Sequence, residues 1–155
     1  MSELNVRIDE LEPMRVASVC VISESPETAA WARLRSWAEA KGYLGDVDRY
    51  PVFGFNNPGP SADRAEYGYE FWIRVPGDAV AEGEIEIKDF PGGLYAVTSH
   101  PGIPNPEIWM RLWDWVQSSS YEWREVHELE KPHDPLAAPG DMTFDLLLPV
   151  KKRSG

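Results

Sequence analysis

The alternation of apolar and polar residues predicts a strand, a helix and two further strands in the first half of the chain. Residues 14–22 are rich in Val and Ile and indicate a strand. Apolar residues then recur at helical spacing after Ser25-Pro26-Glu27, where a Ser cap, a Pro and an acid are typical of a helix start. Gly42 is a typical helix end, and strands are predicted at 49–55 and 67–75.

The second half of the chain shows the same order of elements. A second helix is predicted from Asn105-Pro106-Glu107 to Ser118-Ser119-Ser120. Period-two alternation predicts a strand at 84–90, and turn or loop residues precede the strands predicted at 94–99 and 142–150. Residues 123–130 are matched to the strand region 51–55 of the first half.

Three pairs of residues in the two helices are 78 positions apart: Trp31 and Trp109, Leu34 and Leu112, Trp37 and Trp115. Residues 16–19 align with 95–98, and residues 69–75 align with 144–150. Ordered matches at a nearly constant offset predict a tandem duplication, with chance similarity of short apolar words as the alternative.

These patterns predict an α+β protein with a single domain over residues 1–155. Two β-α-β-β modules, at about 5–80 and 84–151, are expected to form an antiparallel sheet with both helices on one face. A ligand groove is expected at the pseudo-twofold axis.

Charge and composition limit the partners that the chain can take. It has 155 residues, 15 of them Lys or Arg and 26 Asp or Glu, and a formal charge of −11. Nucleic acid and anionic membranes are bound through clustered cations, so neither is expected as a partner. No apolar stretch approaches the roughly 20 residues of a membrane span, and no signal peptide is evident. The single cysteine, Cys20, is expected in the core and, since it has no disulfide partner, favours a cytoplasmic location.

Aromatic residues make up 12% of the chain, including seven Trp, which is enough to line a cavity. Alternation along residues 67–75 places Glu70 and Trp72 on the face turned away from the helix. Tyr95 shares that face if Ala96 packs under the second helix. Trp109, one turn into that helix, is expected to face the junction of the halves. The other helical Trp residues are expected in the core: Trp31, Trp37, Trp113 and Trp115.

Glu130 is a second candidate acid, since it precedes a Pro-rich loop and its counterpart in the first module lies near Gly54-Phe55. A carboxylate beside aromatic rings suits a lipophilic cation. Without such a partner its pKa would rise, and it could act as a general acid or base. The alternative is that Glu70 and Glu130 are solvated, or pair with Arg74 or Lys131.

Other chemistry has little support. His127-Glu128 and His133 lack the spacing of a helical zinc motif, so no metal and no cofactor is expected. No nucleophile elbow and no phosphate-binding glycine loop is present.

The ordered segments resemble the GyrI-like small-molecule-binding domain, found in gyrase-inhibitor-like proteins and in the effector-binding domains of AraC-type and MerR-type regulators. The matching segments span almost the whole chain: 13–17, 30–34, 52–58, 67–73, 90–97 and 144–149. The resemblance implies a groove that binds bulky, often cationic aromatic compounds, with a central acid late in the second module. Glu130 is matched to that acid, with Glu128 as the alternative.

Some stand-alone relatives are hydrolases of cyclopropane-bearing natural products that use a Glu and a Tyr, and Glu130 with Tyr95 or Tyr69 could form that pair. The Tyr that often follows the acid is replaced here by Lys131-Pro132. The regulators carry a separate DNA-binding region for which this chain has no room.

The sequence therefore predicts a stand-alone cytoplasmic protein that binds or sequesters hydrophobic, cationic small molecules, as a monomer or a dimer. The expected ligand-binding residues are Phe55, Glu70, Trp72, Tyr95, Trp109 and Glu130. The alternatives are the hydrolase, with Glu130 and Tyr95 as catalytic residues, and an acidic protein-interaction module that inhibits gyrase or a toxin.

Overall fold

The computed structural model describes residues 4–154. The elements are β1 (Arg7–Leu11), β2 (Met14–Ser23), α1 (Pro26–Lys41), β3 (Val52–Asn56), β4 (Tyr67–Arg74), β5 (Glu86–Phe90), β6 (Gly93–Pro101), α2 (Pro106–Gln117), β7 (Tyr121–Trp123), β8 (Leu129–Pro132), a short 3₁₀ helix (Pro139–Asp141) and β9 (Thr143–Lys152). Contacts divide the chain into two compact units, which we call the first unit (Met14–Phe90) and the second unit (Met1–Pro13 with Pro91–Gly155).

The first unit is an antiparallel sheet in the order β3-β4-β2-β5, covered on one face by α1. The buried residues of α1 recur every four positions, at Pro26, Ala30, Leu34 and Ala38, so one stripe of the helix faces the sheet. The sheet and the residue after β4 complete this core with Ala17, Val19, Val52, Ile73 and Val75.

The second unit has the matching strand order β1-β6-β9-β8, with β7 also paired to β9. Ile108, Leu112 and Val116 of α2 are buried at four-residue spacing. They pack against Ala96, Leu146, Leu148 and Val150 of β6 and β9. Each unit is therefore one helix on an antiparallel sheet, and both have the same order of equivalent strands.

The α+β class, the antiparallel pairing and both helices are confirmed. Each helix starts and ends within a residue of its predicted bounds, because Pro at the first helical position and the C-terminal residues are local signals. Two strands were missed, β1 and β7: in β1 the successive acids Asp9 and Glu10 break the alternation, and β7 has only three residues. The predicted strand at 123–130 is wrong over residues 124–128, and the regular pairing there begins at Leu129.

The unit boundaries differ from the predicted modules in the two strands at the ends of the order. β5 follows the predicted boundary but pairs with β2 of the first unit, and β1 precedes the first unit but pairs with β6 of the second. The tandem duplication itself stays a prediction.

Candidate functional site

Glu70 lies on the face of the first unit's sheet that is turned away from α1. Ile73 of the same strand is in the α1 core, and Phe71 contacts Trp31 of α1 with ring centroids 5.4 Å apart. Alternation then directs Glu70 and Trp72 to the opposite face, as expected. The carboxylate is not open to solvent, however, since Glu70 is only 1% exposed.

The Glu70 carboxylate is bound by four donors of its own unit. Its Oε2 accepts hydrogen bonds from the Ser18 hydroxyl at 2.6 Å, the Trp72 indole at 2.6 Å and the Lys88 ammonium at 2.8 Å. Its Oε1 accepts one from Asn57 Nδ2 at 3.0 Å. Burial alone would raise the pKa of Glu70, but the hydrogen bonds from Lys88, Ser18, Asn57 and Trp72 hold it below its usual value. The charge is therefore compensated by Lys88, not by the predicted alternative Arg74.

Aromatic rings lie on the same face of the sheet as this carboxylate. Phe55 is paired with Glu70 across β3 and β4 and meets the Trp72 ring edge-on at 4.9 Å. The ring centroid of Phe90 lies 5.3 Å from that of Trp72 and 6.5 Å from that of Phe53. The structure thus brings Phe55, Glu70 and Trp72 together. Lys88 and Ser18 were missed, although the alternation in residues 84–90 already placed Lys88 opposite to Ile87.

Glu130 lies on the α2 side of the second unit's sheet. It is paired with Leu146, which is in the α2 core, and it is half-buried. Its Oε2 accepts a long hydrogen bond, 3.4 Å, from the indole of Trp109 on α2. The structure thus brings Glu130 and Trp109 together. Glu128, the alternative acid, is exposed and lies outside β8.

The register agrees with the predicted counterpart of Glu130. Gly54 pairs with Phe71 and Glu130 pairs with Leu146, two residues that the sequence alignment superimposes. At Gly54 a side chain would collide with the ring of Tyr69. The same sheet position therefore holds a carboxylate in the second unit and an aromatic ring over a glycine in the first.

Tyr95 is separated from Glu130 by the sheet. Ala96 packs under α2, as expected, so alternation turns Tyr95 to the other face, where it is 1% exposed. The guanidinium of Arg124 lies 5.1 Å from the Tyr95 ring centre. Burial raises the pKa of Tyr95, and Arg124 opposes that rise. The structure does not bring Tyr95 and Glu130 into one catalytic pair.

Asp145 is a buried acid that sequence reasoning did not select. Its Oδ1 accepts from the Ser99 hydroxyl at 2.6 Å and lies 2.7 Å from His133 Nε2, and its Oδ2 accepts from Arg7 Nη2 at 2.9 Å. Burial acts to raise the pKa of Asp145, but hydrogen bonds from His133 and Ser99 hold it below its usual value. The alignment of residues 69–75 with 144–150 superimposes Asp145 on Glu70, which was the available signal.

Three further features bear on chemistry. No group of three or more His, Cys, Asp or Glu side chains in residues 4–154 is arranged to hold a metal ion. None of the helices within that range is long and apolar enough to cross a membrane. Cys20 was expected in the core but is exposed, and its thiol donates to the carbonyl of Asn57 at 3.3 Å.

An open depression of about 450 Å³ lies beside α1 of the first unit. It is lined by Ala32, Arg33, Ser36, Trp37, Glu84 and Ile85. None of the expected ligand-binding residues lines it.

Known proteins share the fold of this chain. The EcmrR C-terminal domain superimposes with a TM-score of 0.71 at 16% identity, over 97% of this chain and 99% of that one. A hydrolase encoded by lin2189 from Listeria innocua superimposes with a TM-score of 0.69 at 13% identity, over 96% of this chain and 93% of that one. SAV2435 bound to tetraphenylphosphonium superimposes with a TM-score of 0.58 at 14% identity, over 96% of this chain and 94% of that one.

The EcmrR chain in a complex with DNA matches with a TM-score of 0.72 at 17% identity, over 96% of this chain, which spans 58% of the length of that protein. A comparison with curated proteins found no significant match.

A family described as Cass2, integron-associated effector binding protein, matches residues 7–150, nearly the whole chain. The fold relatives agree with the resemblance found in the sequence. The chain therefore belongs to the family of integron-associated effector-binding proteins and has the fold of a GyrI-like effector-binding domain.

Proposed function

We propose that this protein binds bulky hydrophobic cations with aromatic groups, and that it sequesters or senses them in the cytoplasm without chemistry. The observation that carries the proposal is the contact between Glu130 and the indole of Trp109 on the α2 side of the second unit. The family description supports the binding of a small effector.

The physical reason lies in the combination of a partly buried carboxylate and a ring. Partial burial lowers the effective dielectric constant around Glu130, which strengthens its attraction to a cation. An aromatic face adds about 1–2 kcal/mol of cation–π attraction when the cation is desolvated. A lipophilic cation loses little hydration on entering such a site, so it gains from both terms.

The expected residues take different parts in this proposal. Glu130 and Trp109 contact the ligand. Glu70 is already neutralised by Lys88, so we assign it no ligand charge. The faces of the sheets that are turned away from the helices carry Phe55, Trp72 and Tyr95. We assign these residues to the support of the fold.

Titration with tetraphenylphosphonium, followed by Trp emission and thermal shift, tests the proposal. That compound is the ligand named for SAV2435, a fold relative. We expect Glu130→Gln to weaken its binding about tenfold, which corresponds to about 1.4 kcal/mol. A neutral compound of similar shape, such as triphenylphosphine oxide, should lose much less affinity.

Glu128→Gln is the matched control, because it removes an equal charge two residues away from an exposed position. Equal losses in Glu128→Gln and Glu130→Gln, or no binding of any lipophilic cation, would contradict the proposal. The hydrolase alternative with Tyr95 needs Glu130 and Tyr95 in one site, and their positions on opposite faces of the second unit's sheet speak against that pair.

A further inference from the structure

Lys88 reaches from β5, at the end of the strand order, to the buried Glu70. The side chain of the lysine is 39% exposed, whereas that of the glutamate is 2% exposed. Nζ and Oε2 are 2.8 Å apart. The ammonium therefore extends inward from the surface to a carboxylate that solvent barely reaches.

Glu70 accepts hydrogen bonds from a lysine ammonium and from an indole, those of Lys88 and Trp72. The same combination of carboxylate, ammonium and indole occurs a second time in the first unit, but at the surface. Lys41 Nζ donates to Glu82 Oε1 at 2.7 Å, and the Trp37 indole donates to Glu82 Oε2 at 3.0 Å. Lys41 is also 39% exposed, but its carboxylate partner is 43% exposed. In the surface arrangement the carboxylate is exposed, and the lysine and the indole bind different oxygens of it.

A buried carboxylate must be compensated where it stands, because transfer of an unpaired charge from water is costly. At Glu70 the Ser18 hydroxyl and the Trp72 indole converge on Oε2, the oxygen that also accepts from Lys88. They orient the carboxylate toward the ammonium. Glu86 Oε2 lies 3.9 Å from the same ammonium but is exposed, so it is the weaker partner.

We propose that the first unit contains a binding site for a primary ammonium group at Glu70, and that Lys88 of the chain itself occupies this site and closes it to cationic ligands. Lys88 is then a specificity-determining residue. It reserves cation binding for positions other than Glu70. The lowered pKa of Glu70, with Lys88 as the foremost hydrogen-bonding cause, is in accord with this assignment.

The class of ligand that could replace Lys88 follows from the shape of its side chain. The side chain of Lys88 joins the surface to Glu70, so we expect its removal to leave a narrow opening beside the carboxylate. An unbranched primary alkylammonium ion can enter that opening and donate N–H to Oε2. A quaternary ammonium ion lacks the N–H donor and is too broad. These residues are separate from Glu130 and Trp109, so this inference stands or falls independently of the proposed function.

The test is chemical rescue of Lys88→Ala. The substitution leaves a buried, unpaired carboxylate, and we expect the thermal midpoint to fall by roughly 5–10 °C. n-Butylammonium chloride should raise the midpoint of the variant saturably, as expected for a ligand that binds the native state alone. Methylammonium should raise it less, and tetramethylammonium or sodium chloride at equal ionic strength should have no specific effect.

Lys41→Ala is the matched control, since it removes the exposed lysine of the same kind of group and should show no amine response. Glu70→Gln combined with Lys88→Ala should lose the response, because the neutral amide needs no cation. An equal response of wild type, Lys41→Ala and Lys88→Ala to butylammonium would overturn the proposal.

If Lys88→Ala does not fold at all, its recovery from denaturant replaces the thermal measurement. Recovery of folded protein with butylammonium but not with tetramethylammonium supports the site. Failure to recover with every amine overturns it.

Discussion

Glu70 and Asp145 occupy aligned positions in the two units, and each buried carboxylate accepts hydrogen bonds from a serine hydroxyl and from a cation. Glu130 is half-buried and accepts a long hydrogen bond from the Trp109 indole. At the scale of single residues, the two aligned acids are therefore held by partners within their own sheets, and Glu130 is the acid that we assign to ligand binding.

The decrease in the free energy of unfolding at acid pH should depend on Asp145. Its folded-state pKa lies below the usual value, so its contribution is complete above the unfolded pKa and is lost as pH falls through the folded pKa. We expect Asp145→Asn to lower the free energy of unfolding by about 1–3 kcal/mol at neutral pH. The difference from wild type should shrink as pH falls below the usual value of 3.8.

Urea unfolding at a series of pH values measures this effect. Ser99→Ala, which removes one donor to Asp145, should give an intermediate curve. If the wild-type and Asp145→Asn curves ran parallel down to low pH, Asp145 would not have the assigned role.

At the scale of elements, the two helices begin with similar residues but are capped differently. The Asn105 side chain accepts a hydrogen bond from the backbone N–H of Ile108 at 3.0 Å. The Ser25 side chain makes no such bond, although the sequence predicted a Ser cap. Gly42 ends α1 in the left-handed region with φ of 79°, as the glycine predicted.

The two cap substitutions should therefore differ in cost. Asn105→Ala should lower the free energy of unfolding by about 1 kcal/mol, because it leaves a donor of the first turn without its partner. Ser25→Ala should change the free energy of unfolding by only roughly 0.2 kcal/mol. Urea denaturation of both variants provides the comparison, and equal losses would contradict the assigned difference in capping.

At the scale of the whole molecule, the formal charge of −11 bears on partners more than on fold. This sum already counts the Lys and Arg side chains that pair with the buried acids. The long-range field of the protein is therefore negative.

This chain should not bind duplex DNA by itself, even at low salt, where electrostatic attraction would be strongest. Electrophoretic mobility of a labelled duplex in the presence of the protein measures this, with a basic DNA-binding domain as the positive control. A retarded band that disappears as salt is added would show a cationic surface that the net charge conceals.

The sequence by itself determined the two helices, most of the strands, the α+β class and the correspondence between Glu130 and Gly54. These features follow from local signals, namely periodicity, proline, glycine and the offset between repeated segments. β1 was not visible in the sequence because two successive charged residues, Asp9 and Glu10, interrupt its alternation.

Only the tertiary structure decided which acids are buried and what compensates them. Lys88 is 18 residues from Glu70, and Arg7 is 138 residues from Asp145. Such partners meet because strands distant in the chain pair in one register, and no local pattern records that register. The same pairing placed Tyr95 and Glu130 on opposite faces of a sheet, since successive side chains of a strand point to opposite sides.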